Sequence, residues 1–172
     1  MRRAFALLLL LCSMGSIAAQ ETKPSAWRAA TEPELAAIIP ARAPVVQERI
    51  ETELRTASGI TNGNGRFVAG VVLITAGYSA EGKYSHYLLA QVPLKIANFH
   101  LPAGQYILGW THKDEDTLTV KFYEAISGKP LGSVDAVRNS SITRIESFRI
   151  WPPSDRSLIQ IGRFTFAYQL GG

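Results

Sequence analysis

Residues 106–122 read YILGWTHKDEDTLTVKF, and this stretch decides the fold class. Tyr106, Leu108 and Trp110 occupy alternate positions, and after the charged run from Lys113 to Asp116 the alternation resumes in Leu118, Val120 and Phe122. Side chains two apart share one face of a strand, whereas a helix would scatter them. The pattern predicts two antiparallel strands joined by a polar tip, with these six side chains on a common core face.

The same period extends in both directions. Downstream, Leu131–Arg138 fits a fifth strand whose pattern sets Phe122 opposite Val134, Val120 opposite Ala136 and Lys121 opposite Asp135 on the solvent face. Ile142–Trp151 reads as a sixth strand, ended by Pro152 and Pro153. Ser157–Leu170 reads as a seventh. Its apolar parity changes from odd (Ile159, Ile161) to even (Phe164, Phe166, Tyr168), which requires a bulge or bend at Gly162. Upstream, Tyr84–Ile96 places Leu88, Ala90, Val92, Leu94 and Ile96 on one face, with Pro93 marking an edge or a bend, and the nearly unbroken apolar run Phe67–Ala76 predicts a strand buried on both faces. Turn signals arrive about every ten residues, the rhythm of an antiparallel sandwich or barrel. The expected fold is therefore mainly β: a seven-stranded antiparallel β-sandwich over residues 60–172 with an N-terminal helical segment.

That segment is assigned to residues 31–59. Thr31, Pro33 and Glu34 form a capping-box signature for a short helix through Ile39, stopped by Pro40. A second helix is expected from Pro44, because Val46, Ile50 and Leu54 recur every four residues and Glu51 precedes Arg55 by four, with Gly59 as terminator. The stripe Val46, Ile50, Leu54 is expected to lie against the sheet.

Residues 20–30, with Pro24, Ser25 and Trp27, show no periodicity and are read as a flexible leader. Residues 1–19 combine Arg2 and Arg3, an apolar run from Ala4 to Cys12 with five successive leucines, and small residues up to Ala19. This is the pattern of a secretory signal peptide, so the protein is expected to be secreted or periplasmic, with no membrane span after cleavage. Cys12, Met1 and Met14, all within that piece, are the sulfur-containing residues of the chain, which excludes disulfide and thiolate chemistry after cleavage. The +4 formal charge includes Arg2 and Arg3, and the remainder shows no cluster of Lys and Arg, so nucleic acid is not an expected partner.

Catalytic and metal signatures are sparse. His86, His100 and His112 are widely spaced, each read as an edge or loop residue, and the acidic run Asp114–Asp116 lacks the glycine and terminal glutamate of an EF-hand loop; no metal and no cofactor are expected. There is no G-x-S-x-G elbow and no S-x-x-K. The positive candidate is the run from Arg149 to Arg156, where Pro152 and Pro153 stiffen the chain beside Trp151 and two arginines. Trp151, Arg149 and Arg156 are the predicted binding residues, since rigid aromatic and guanidinium groups bind at low entropic cost.

Leu101-Pro102-Ala103-Gly104-Gln105-Tyr106 resembles the L-P-A-G-x-Y turn-to-strand element of secreted bacterial β-sandwich domains of the transthyretin-like and carboxypeptidase-regulatory-like kind, and the hairpin through Ser127-Gly128-Lys129-Pro130 is similar to theirs. The resemblance implies an exported, usually non-catalytic module and carries no functional residues across. The expected role is thus a non-enzymatic module that binds a protein partner or an envelope or extracellular polymer. Two alternatives have distinct structural signatures. A deep pocket with convergent His, Asp and Ser would favour a small hydrolase, and an open apolar interior would favour a ligand-binding β-barrel.

Overall fold

The computed structural model describes residues 26–46, 48–75 and 82–171; the signal-peptide assignment and residues 20–25 of the leader lie outside them. In chain order the elements are β1 (Arg28–Ala29), α1 (Glu32–Ile38), β2 (Arg42–Val45), β3 (Glu48–Thr61), β4 (Phe67–Leu73), β5 (His86–Ala90), β6 (Leu94–Ile96), β7 (Phe99–Leu101), β8 (Gly104–His112), β9 (Thr117–Glu124), β10 (Pro130–Arg138), β11 (Glu146–Ile150), β12 (Leu158–Gly162), β13 (Phe164–Ala167) and β14 (Gln169–Leu170).

The fold is mainly β, but it is not the expected seven-stranded sandwich. Ten strands form one antiparallel sheet in the order β1-β3-β4-β5-β8-β9-β10-β13-β12-β11, β2 pairs with β3 beside that path, and β14-β6-β7 form a small second sheet. The large sheet curls until its last strand meets its beginning. The Ile150 amide of β11 donates to Ser58 Oγ of β3 at 3.0 Å, and the Phe148 ring packs against Gly70 of β4. The result is a nearly closed barrel. Curling lets one inward face bury itself, which a sandwich would achieve with two separate sheets.

The strands that the alternation predicted line that interior. Tyr106, Leu108, Leu118, Val120 and Phe122 are buried in one cluster, and Trp110 packs against it half-buried. β4 is buried on both faces as expected: Val68 joins this inner cluster, while Ala69, Val71 and Leu73 join a second, outer one.

Several further expectations need correction. The first is the helix from Pro44, which does not form: β2 (Arg42–Val45) and β3 (Glu48–Thr61) pair antiparallel, with Ala43 opposite Ile50. A spacing of four is a multiple of two as well as nearly one helical turn, so Val46, Ile50 and Leu54 suit a strand equally. Among the described residues helix is confined to α1, where Glu34 accepts from the Thr31 amide at 2.8 Å as the capping box predicts. Part of the expected leader is structured too, because Arg28 and Ala29 pair with Thr61 and Ile60.

The second correction divides Tyr84–Ile96 near Pro93 between β5 and β6, in different sheets. The third concerns the change of parity at Gly162, which is a reversal rather than a bulge: Ile161 faces Phe164 across a tight turn in which Gly162 takes φ 61°. The fourth is a register offset of two. Val134 faces Val120 and Ala136 faces Leu118, after a bulge between Pro130 and Gly132. Both faces keep their side chains, and Asp135 pairs with Lys113 at 2.7 Å instead of Lys121.

The barrel's ends differ. β5 and β8 are joined through β6 and β7, whose Leu94, Ile96 and Leu101 are fully buried within the barrel cluster. The Phe99 ring lies in the space that a side chain at Gly132 would fill and 5.3 Å from the Phe122 ring. The small sheet thus plugs one end. Outside, α1 and the β2–β3 hairpin cover β3, β4, β5 and β8, burying Leu35, Ile39, Ala43, Ile50 and Tyr87 in the outer cluster. No helix among the described residues is long and apolar enough to cross a membrane.

Candidate functional site

Antiparallel alternation brings the end of β4, the start of β5, the end of β8, the start of β9, the start of β11 and the β12–β13 turn together at the unplugged end of the barrel. A cavity of about 630 Å³ opens there. Its wall includes the inward-facing Val72, Trp110, Leu118, Ile161 and Phe164 together with the polar Ser85, His86, Glu146 and Ser147. Leu118, Ile161 and His86 are buried; Ile145, at the rim, is 56% exposed.

His86 is the principal polar group of the wall. The even parity of Leu88 and Ala90 turns it inward, where it is only 4% exposed and stacks 5.0 Å from Phe148. The sequence reading placed it at an edge or in a loop; it sits instead on a strand paired on both sides. The signal was present in the alternation, which continues from Leu88 to His86. Its Nε2–H donates to the Ser147 carbonyl at 3.3 Å. Burial lowers its pKa from 6.5 to about 4, against the opposing influence of that hydrogen bond, so the ring is neutral at pH 7. With Nε2 protonated, Nδ1 is a bare acceptor, and it has no hydrogen-bond partner among the described residues. The same holds for the Trp110 indole N–H, a donor only.

The rim carries one carboxylate shared by two guanidinium groups. Glu146 accepts from Arg144 at 2.8 Å and from Arg149 at 3.4 Å. His112 stands edge-on to Trp110 and Phe164, at 5.7 and 5.8 Å. Among the described residues no three His, Cys, Asp or Glu side chains assemble into a metal-holding group. His86 is bonded to a carbonyl, and among the described residues no hydroxyl or carboxylate is hydrogen-bonded to its ring.

The three residues predicted from sequence to bind a partner do converge, away from this cavity. β11 runs from the mouth toward the plugged end, and Trp151 follows its last residue. The Arg149 and Arg156 guanidinium groups lie 4.1 and 4.6 Å from the Trp151 ring centroid. The indole N–H donates to Gln160 at 3.1 Å, Arg149 pairs with Glu146 and Arg156 with Asp155. The sequence reading missed the cavity itself, because its wall is drawn from six separated segments between Val72 and Phe164.

No protein-family model, curated protein or solved structure matches this chain.

Proposed function

We propose that the protein binds a small, largely apolar molecule in the mouth of its barrel. The observation that carries this reading is the cavity of about 630 Å³, its surface more apolar than polar, at the end that the small sheet leaves unfilled. Pockets for drug-sized ligands occupy about 300–1,000 Å³, and barrel mouths are among their usual places. The hydrolase alternative would need a hydroxyl or carboxylate partner for His86, and among the described residues its ring has only the Ser147 carbonyl. The Arg2–Arg3 and leucine-rich start of the chain supports a role after export.

Titration with N-phenylnaphthylamine, a neutral fluorophore that brightens in apolar surroundings, tests the reading. Saturable binding of one molecule per chain is expected. Val72→Trp should weaken it: Val72 is a half-buried wall residue, and an indole there would project into the cavity. Unaltered binding to a folded Val72→Trp variant would place the fluorophore elsewhere.

A second reading, contact with a protein or an envelope polymer at Trp151, is supported by the convergence of Arg149 and Arg156 on that ring. Trp151→Ala should then abolish co-sedimentation with envelope polymer while leaving fluorophore binding intact.

A further inference from the structure

We infer that Asn64 is a modification site, where the side-chain amide is lost to water by spontaneous deamidation, and that the fold protects Asn62, its neighbour in the same Asn-Gly-Asn-Gly run, from that reaction. Residues 62–65 carry the chain from β3 to β4, and each asparagine precedes a glycine. The glycine matters because its amide nitrogen is the nucleophile and no side chain shields it. In the first step the Gly65 nitrogen gives its proton to solvent base and bonds to Asn64 Cγ; the Cγ–Nδ2 bond breaks, and Nδ2 takes up a proton and leaves as ammonia. Water then opens the cyclic succinimide at either carbonyl, leaving an aspartate or an isoaspartate linkage. One water is consumed and one ammonia released, with no change of oxidation state.

The two identical dipeptides have different surroundings. The Asn62 side-chain oxygen accepts from the Asn64 amide at 2.9 Å and from the Arg66 amide at 3.1 Å. The nucleophile that Asn62 would need, the Gly63 amide, donates to Thr61 Oγ1 at 3.1 Å, and that buried hydroxyl donates in turn to the Arg66 carbonyl at 3.0 Å. Reaction at Asn62 therefore has to release hydrogen bonds on both reacting groups. Asn64 is exposed, and among the described residues neither its carboxamide nor the Gly65 amide has a hydrogen-bond partner. Gly65 takes φ 78° with open space where a Cβ would stand, so no neighbour obstructs the approach of its nitrogen to Cγ. The product places a new carboxylate, in the isoaspartate form with an added methylene in the backbone, just before β4. That strand runs on to Val72 and Leu73 at the cavity, so the change falls at the opposite end of the barrel.

Folded protein held in mildly alkaline buffer, then cleaved with trypsin and read by tandem mass spectrometry against unincubated protein, reports both sites in one peptide, residues 56–66. Conversion at Asn64 should exceed that at Asn62 by about tenfold or more, as expected where hydrogen bonds must first be given up. In guanidinium chloride, with the turn unfolded, the two rates should become similar. Comparable conversion of both sites in the folded protein, or a folded chain that resists at both while the unfolded chain reacts, overturns the assignment of Asn64. A preference for Asn64 that persists undiminished in the denaturant overturns the protection of Asn62 by the fold.

Discussion

His86 concentrates much of what the single-residue scale contributes. Its alternation with Leu88 and Ala90 makes its inward direction legible in the sequence; its neutral state is not, because that depends on burial by strands far away in the chain. The consequence for stability has a definite sign. The folded-state pKa of about 4 lies below the ordinary 6.5, so as pH falls the unfolded chain takes up a proton before the folded one does. Stability is full above pH 6.5 and is lost progressively toward pH 4, by roughly 3 kcal/mol in all. Between pH 6.5 and 4.5 carboxylates contribute little, and Glu34, held at about 2 by Arg28 and the Thr31 amide, loses its contribution only below that interval. Denaturant midpoints measured across this interval should decline in the native protein and flatten in His86→Phe. A steric prediction belongs at the same scale. An added methyl at Gly70 would meet the Phe148 ring and, at 2.9 Å, the Tyr87 carbonyl oxygen, so Gly70→Ala should cost about 1–3 kcal/mol by overpacking the point where β11 closes on β4.

Among the elements, β8 and β9 were the most legible because six apolar side chains keep strict alternation across a polar tip. β3 was the least. Its buried Thr52, turned toward the outer cluster, is polar and its pairing with β4 is interrupted between Glu53 and Ser58, so alternation is masked, and the four-residue spacing of Val46, Ile50 and Leu54 suggests a helix instead. The strand makes a prediction that a helix would not. Leu54 is 41% exposed while Ile50 is 5% exposed, so Leu54→Asp should shift stability by less than about 1 kcal/mol and Ile50→Asp by more than about 3 kcal/mol. Equal losses from the two, measured by chemical denaturation, would fit the common helical stripe rather than the strand. The register of β10 shows a complementary limit: parity fixes which face is buried, but an offset of two preserves parity, and only the bulge at Pro130–Gly132 selects between the two pairings.

At the scale of the whole molecule, local alternation could not distinguish a sandwich from a barrel, because both bury one face of each strand. Closure rests on contacts between distant segments: the Ile150 amide on Ser58, and Phe148 over Gly70. That closure, with the small sheet filling one end, is what leaves a cavity at the other. The predicted contact residues and the cavity therefore lie toward opposite ends of one barrel, and the three tryptophans of the chain report on them separately. Trp110 lines the mouth. Trp151 carries Arg149 and Arg156 toward the plugged end, where Trp27 also packs, its carbonyl accepting from Ser154 at 3.4 Å. The indole N–H resonances of the 15N-labelled protein, recorded during titration with N-phenylnaphthylamine, test the central claim most directly. The account predicts a saturable shift of the Trp110 signal with those of Trp27 and Trp151 unmoved; a shift confined to Trp151, or no shift of Trp110 at saturating fluorophore, would contradict it.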